Sequence, residues 1–218
     1  MLFRSPLESA PRDFWRYAYP LPYRDVLEKF SKEYGVDPFL TAGLIRQESE
    51  FDARVISHSN AYGLMQLLPG TGRELGVRLG VARVGTAELF NPQVNVRLGT
   101  FYVKNLLGMF GNEMERTLAS YNAGMGNVKK WLTGAPVYRE PAEWVETIPF
   151  NETRGYVQSV MRNADFYRRL YANAPYEVSP VAYKAPPVAA APVSSAKAKG
   201  KAATLPARRR RAAASSLR

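Results

Sequence analysis

The 218 residues carry 30 Lys or Arg against 19 Asp or Glu, a formal net charge of +11, with no cysteine and one histidine. That composition excludes a disulfide framework, a cysteine-based metal site and a histidine cluster, and there is no run of ~18 apolar residues to span a membrane. The charge belongs to the tail: nine basic residues and no acidic one lie from Ser179 onward, leaving 21 basic against 19 acidic residues before it.

Residues 1–21 read as an irregular, aromatic-rich segment, with Phe14, Trp15, Tyr17 and Tyr19 packing across a domain surface. The first eight residues hold no apolar run of signal-peptide length. Residues 23–34 form a helix with Val26, Leu27 and Phe30 on one face and Gly35 as its stop. A second helix covers 37–51, capped by Asp37 with Pro38 at its first position. Residues 52–69 are a loop and turn rich in Ser, Asn and Gly, followed by a short helix over 71–75. Asn91-Pro92 opens a long helix to about 110, and shorter helices follow at 113–121, 128–132 and 142–147. Asn151 caps a long amphipathic helix to about 171, with Tyr156, Val157 and Val160 available for packing. No alternating strand pattern occurs. The expected architecture is all-α, with a folded domain over 22–175. Residues 176–218 are a Pro-, Ala-, Ser-, Lys- and Arg-rich tail with nothing to bury.

The helix over 37–51 organises the rest. With about 100° of rotation per residue and Leu40 as zero, Phe51 and Leu44 project to roughly 20° and 40°. Glu48 lands at about 80°, inside the apolar arc, whereas Arg46 and Glu50 fall at roughly 240° and 280°. Two glutamates two residues apart therefore have opposite surroundings. Desolvation and the negative end of the helix dipole both raise the pKa of Glu48, which suits a general acid. The same pattern also fits a partly buried glutamate held by a structural partner.

Three other segments carry polar groups in site-like settings. The turn from Ser57 to Pro69 offers Gln66 as donor and acceptor, while its Met65 and Leu68 equally suit plain core. Tyr121 and Asn122 leave a helix end together, a setting that also fits an ordinary helix stop. Glu152-Thr153-Arg154 stands at a helix start, where a charged pair more readily serves structure.

Four stretches in this order and spacing go further: Arg46-Gln47-Glu48-Ser49, Gly63-Leu64-Met65-Gln66, Tyr121-Asn122-Ala123-Gly124 and residues 148–157. Together they resemble the catalytic domain of the soluble lytic transglycosylases, murein-cleaving enzymes with a lysozyme-like (goose-type lysozyme-like) fold. The resemblance covers about 12–170. It implies Glu48 as the single catalytic acid, Ser57, Met65 and Gln66 as glycan contacts, and Tyr121 and Asn122 beside the acid. It implies Glu152 as a second site carboxylate. Asn60 stands where the family usually has glycine, and Leu68 where it usually has methionine.

The implied reaction breaks the β-1,4 bond between N-acetylmuramic acid and N-acetylglucosamine of peptidoglycan glycan strands without water. It needs no metal or cofactor. One glutamate acts as acid and then as base, whereas ordinary glycosidases need a flanking pair of carboxylates. The competing readings are a lysozyme-like peptidoglycan hydrolase and a non-catalytic glycan-binding module. Nucleic-acid binding through Arg208 to Arg211 is disfavoured, because that run lacks interleaved aromatics and the folded part is not basic.

The resemblance places the activity in the bacterial cell envelope or periplasm. It also implies an in-frame upstream region encoding a helical domain and a signal sequence. The basic tail is expected to act as a tether drawn to anionic envelope polymers.

Overall fold

In the computed structural model the structure describes residues 9–81, 83–136, 138 and 140–172. By contacts the chain divides into Met1–Tyr183 and Lys184–Arg218, and all described residues fall in the first unit. The expectation for 176–218 lies outside the described residues.

The described part is helical: α1 (Arg12–Ala18), α2 (Arg24–Tyr34), α3 (Pro38–Ser49), α4 (Pro69–Arg78), α5 (Thr86–Leu89), α6 (Pro92–Met109), α7 (Met114–Ala123), α8 (Met125–Leu132), α9 (Pro141–Glu146) and α10 (Asn151–Tyr171). Among the described residues the only β pairing is the isolated bridges Ile56–Tyr62 and Tyr62–Leu67, inside the turn before α4.

α3 and α10 are the central pair and pack more extensively than any other two helices. Their closeness depends on Gly43: a Cβ there would stand 2.7 Å from Ala164 N and 2.8 Å from Val160 O. Around the pair, Leu44, Ile45, Leu64, Leu98, Leu118, Val160 and Tyr167 are buried in one apolar core. Asp37 caps α3 as expected, accepting from Phe39 N at 2.9 Å.

Several boundaries differ from the sequence reading, each for a local reason. The N-terminal segment is not irregular throughout, because α1 lays Trp15 edge-on to Phe166 of α10, and Tyr19 beyond it stacks on the same ring. α3 ends at Ser49: Glu50 and Phe51 take left-handed backbone, with φ of 50° and 68°. Phe51 is buried all the same, against Tyr167 rather than along the helical stripe. α4 is longer than expected and α5 was not expected; Gly85 N donates to Glu88 Oε2 at its start. Asn151 is the first residue of α10 and not its cap; Phe150 holds that place, and Asn151 Oδ1 accepts from Arg154 instead.

The turn between α3 and α4 is locked from inside by a buried asparagine. Asn95 Nδ2 donates to Tyr62 O and Leu89 O, each at 2.8 Å, and Asn95 Oδ1 accepts from Met65 N at 2.8 Å. Ser49 Oγ adds a bond to Leu64 O at 2.8 Å. Gly63 is required here, because its φ is 74° and a Cβ would collide with Leu89 O and the Asn95 side chain.

Candidate active site

Glu48 sits in the last turn of α3, half-buried, while Glu50 is exposed. Its Oε1 accepts a hydrogen bond from the Tyr156 hydroxyl of α10 at 2.6 Å. Burial pushes the carboxyl up to about 7, and the tyrosine bond, which favours the charged form, keeps it from rising further. Arg46 lies away from this carboxyl, its guanidinium over the Tyr19 ring.

Tyr121 and Asn122 come from the end of α7. The Tyr121 hydroxyl donates to Met65 O at 2.6 Å, which ties α7 to the turn. Burial raises the Tyr121 phenol, and the nearby Glu48 charge adds to the rise. Asn122 Oδ1 accepts from Thr153 Oγ1 of α10 at 2.7 Å, which orients the amide. Asn122 and Glu48 are thus each fastened to α10, by Thr153 and Tyr156, three residues apart and on one side of that helix.

A groove of about 310 Å³ opens beside Tyr121 and Asn122, lined also by Gln66, Leu68, Tyr102 and Gly124 among others; Glu48 is not part of this lining and neighbours it through Tyr121, whose phenol feels its charge. Gln66 has a left-handed backbone, and its Nε2 closes the turn by donating to Gly63 O at 2.9 Å and Val55 O at 3.2 Å. Leu68 contributes an exposed apolar surface. Ser57 does not line this groove; its Oγ accepts from Ala61 N at 3.0 Å. Glu152 is exposed in the first turn of α10, one turn before Tyr156.

Met65 corrects the sequence reading. Its side chain is wholly buried against Gly99, where an added Cβ would strike its sulfur, so it offers no surface to a glycan. What it offers the site is the backbone carbonyl that holds Tyr121. Tyr156, in turn, which the helical pattern offers only for packing, is the hydrogen-bond donor to Glu48. The available signal was its spacing of three and four residues from Thr153 and Glu152 on one helix. Among the described residues no group of three or more His, Asp or Glu stands close enough to hold a metal ion.

The family model described as the transglycosylase SLT domain matches residues 25–140. The chain belongs to the transglycosylase SLT family. A second family model, the soluble lytic transglycosylase helical domain, matches residues 147–175. SLT relatives include the soluble lytic murein transglycosylases of Salmonella typhimurium, 34% identical over 69% of this chain, and Escherichia coli strain K12, 32% identical over 72%. The chain spans 23% and 24% of those two proteins, about a quarter of their length. Among solved structures, an inactive mutant of the lytic transglycosylase Slt from Pseudomonas aeruginosa aligns with a TM-score of 0.68 at 35% identity, covering 73% of this chain and 26% of that one. The 70 kDa soluble lytic transglycosylase of Escherichia coli also aligns at 0.68, with 32% identity and coverage of 72% and 26%. The all-α fold expected from the sequence is therefore the one seen in these SLT structures.

Proposed function

We propose that this chain is a lytic transglycosylase that cleaves the β-1,4 bond between N-acetylmuramic acid and N-acetylglucosamine in peptidoglycan, leaving 1,6-anhydromuramic ends. The observation that carries the reading is the half-buried Glu48 carboxyl, raised to about 7 and held by one tyrosine hydroxyl. A group titrating there is protonated often enough to donate and ionised often enough to accept.

In the first half of the reaction Glu48 gives its proton to the bridging oxygen, and the bond from that oxygen to the muramyl anomeric carbon breaks. In the second half the muramyl 6-hydroxyl oxygen bonds to that carbon and its proton passes to Glu48. The carboxyl ends as it began, and no water is consumed. Tyr156 stabilises the carboxylate between the two transfers, because its hydroxyl donates to Oε1. Tyr121 and Asn122 line the cleft beside the acid, held by Met65 O and Thr153. Gln66, which lines the groove, is assigned to a glycan contact, and Ser57 and Glu152, outside that lining, to contacts with the strand beyond it. The role assigned to one glutamate agrees with a structural relative described as inactive after a Glu-to-Gln change. The likeness to soluble lytic murein transglycosylases supports action in the bacterial envelope.

The test is Glu48→Gln, assayed for murein cleavage and separately for co-sedimentation with sacculi. Cleavage should fall by about 10² to 10⁴ while sedimentation persists, and Glu50→Gln should leave both unchanged. Retained cleavage in the Glu48→Gln protein removes the assignment.

A further inference from the structure

We infer that a second cleft, between α2 and α6, binds the carboxylates of the short peptides that branch from the glycan. This rests on the function proposed above and extends it to a different face of the domain. The cleft measures about 420 Å³ and is lined by Lys29, Phe30, Glu33, Val81, Val94 and Arg97 among others.

Its charge is built by a connected set of side chains. Arg97 Nε donates to the Tyr34 hydroxyl at 3.2 Å and stands 3.9 Å from Glu33 Oε1. The Tyr34 ring lies 5.4 Å from that of Phe101, and Phe101 carries the Arg78 guanidinium at 5.1 Å and Lys104 Nζ at 5.9 Å. Arg97, Phe101 and Lys104 are spaced to share one face of α6. Lys29 of α2 and Arg97 line the cleft together with Glu33, while Arg78 and Lys104 stand beyond its lining, over the Phe101 ring. Lys29, Arg78 and Lys104 have no ion pair among the described residues. Positive charge is thus gathered on this face.

The chemistry of the walls selects among anions. Phe30, Val81 and Val94 give the cleft an apolar lining between Lys29 and Arg97. A peptide with small apolar side chains and free carboxylates matches both features, whereas a phosphodiester polymer offers nothing to the apolar part. Reach is adequate too. α6 borders both: Val94 and Arg97 line the cleft, and Tyr102, five residues beyond Arg97 and turned well round the helix from it, lines the glycan groove. A helix is about 10–12 Å across, and four extended residues span about 13 Å.

The experiment uses the full chain carrying Glu48→Gln, so that binding is read without cleavage, and follows backbone amides by NMR. The probes are a murein tetrapeptide with free carboxylates, the same peptide amidated, and polyglycerol phosphate. The free-acid peptide should give saturable shifts at Lys29, Val94 and Arg97, and the amidated peptide should bind at least about threefold more weakly. Added Lys29→Glu, at an exposed position that leaves the fold intact, should weaken the free-acid peptide about fivefold. Shifts absent from these residues, equal binding of the two peptides, indifference to Lys29→Glu, or tighter binding of polyglycerol phosphate would each overturn the inference. Because no cleavage is measured, failure here leaves the transglycosylase reading standing, and failure of that reading appears separately in product analysis.

Discussion

The Tyr156 hydroxyl donates to Glu48 Oε1 across 2.6 Å, linking residues 108 apart in sequence. The contact exists because α3 and α10 approach backbone to backbone at Gly43. Two opposed effects therefore meet on one carboxyl: burial raises its pKa, and the tyrosine bond lowers it.

The pH dependence of the reaction follows from that balance. Glu48 must be protonated to start each cycle, so the rate should decline about tenfold per pH unit well above 7. Carboxyl NMR of the full chain should show one glutamate with a midpoint near 7. Assignment of Glu48 to an ordinary glutamate midpoint contradicts the mechanism.

Tyr156→Phe removes a donor to the carboxylate and leaves the ring packing in place. The Glu48 midpoint should move up by about one to two units, and the alkaline limb of the rate profile should follow it. A loss of rate at all pH values with an unmoved midpoint would mean that the tyrosine serves packing alone.

Stability should carry the same signature with a definite sign. Glu48 is raised when folded, from 4.5 to about 7, so between those values the folded state holds the proton more tightly than the unfolded chain. Its contribution is fully present below the unfolded pKa and declines as pH rises towards 7, by about 3 kcal/mol in all. Glu48→Gln keeps an acceptor for Tyr156 and has no charge to bury. Urea melts should show the variant more stable than the parent at pH 8 and the advantage shrinking towards pH 4. An advantage independent of pH goes against this.

The α3–α10 contact can be probed apart from the chemistry. Gly43→Ala places a methyl against the backbone of Val160 and Ala164, and should destabilise by about 1–3 kcal/mol. Gly155→Ala is the control, because a Cβ there meets nothing within 4 Å, and it should stabilise by about 0.5–1 kcal/mol. Equal denaturation midpoints for the two variants would show that Gly43 does not set the helix approach.

These residues also show what a sequence can and cannot reveal. The inward setting of Glu48 was legible because helical period puts it on the arc of Leu40 and Leu44. The end of α3 was not, because Glu50 and Phe51 turn left-handed without the glycine that usually signals such a stop. α5 is a single turn, too short to display a period. Tyr156 looked like core from its own helix, and only the packing of α10 on α3 gives its hydroxyl a partner. Met65 illustrates the converse: motif resemblance placed it at the glycan, while its burial beside Gly99 confines it to the core.

The most direct test of the account is the chemical nature of the ends that cleavage leaves. Purified murein digested in water labelled with heavy oxygen, then analysed by mass spectrometry, reports whether water entered the product. The Glu48 acid–base cycle requires 1,6-anhydromuramic ends without label, and none above background from the Glu48→Gln protein. Free reducing ends carrying the heavy oxygen would instead identify a lysozyme-like hydrolase and contradict the account.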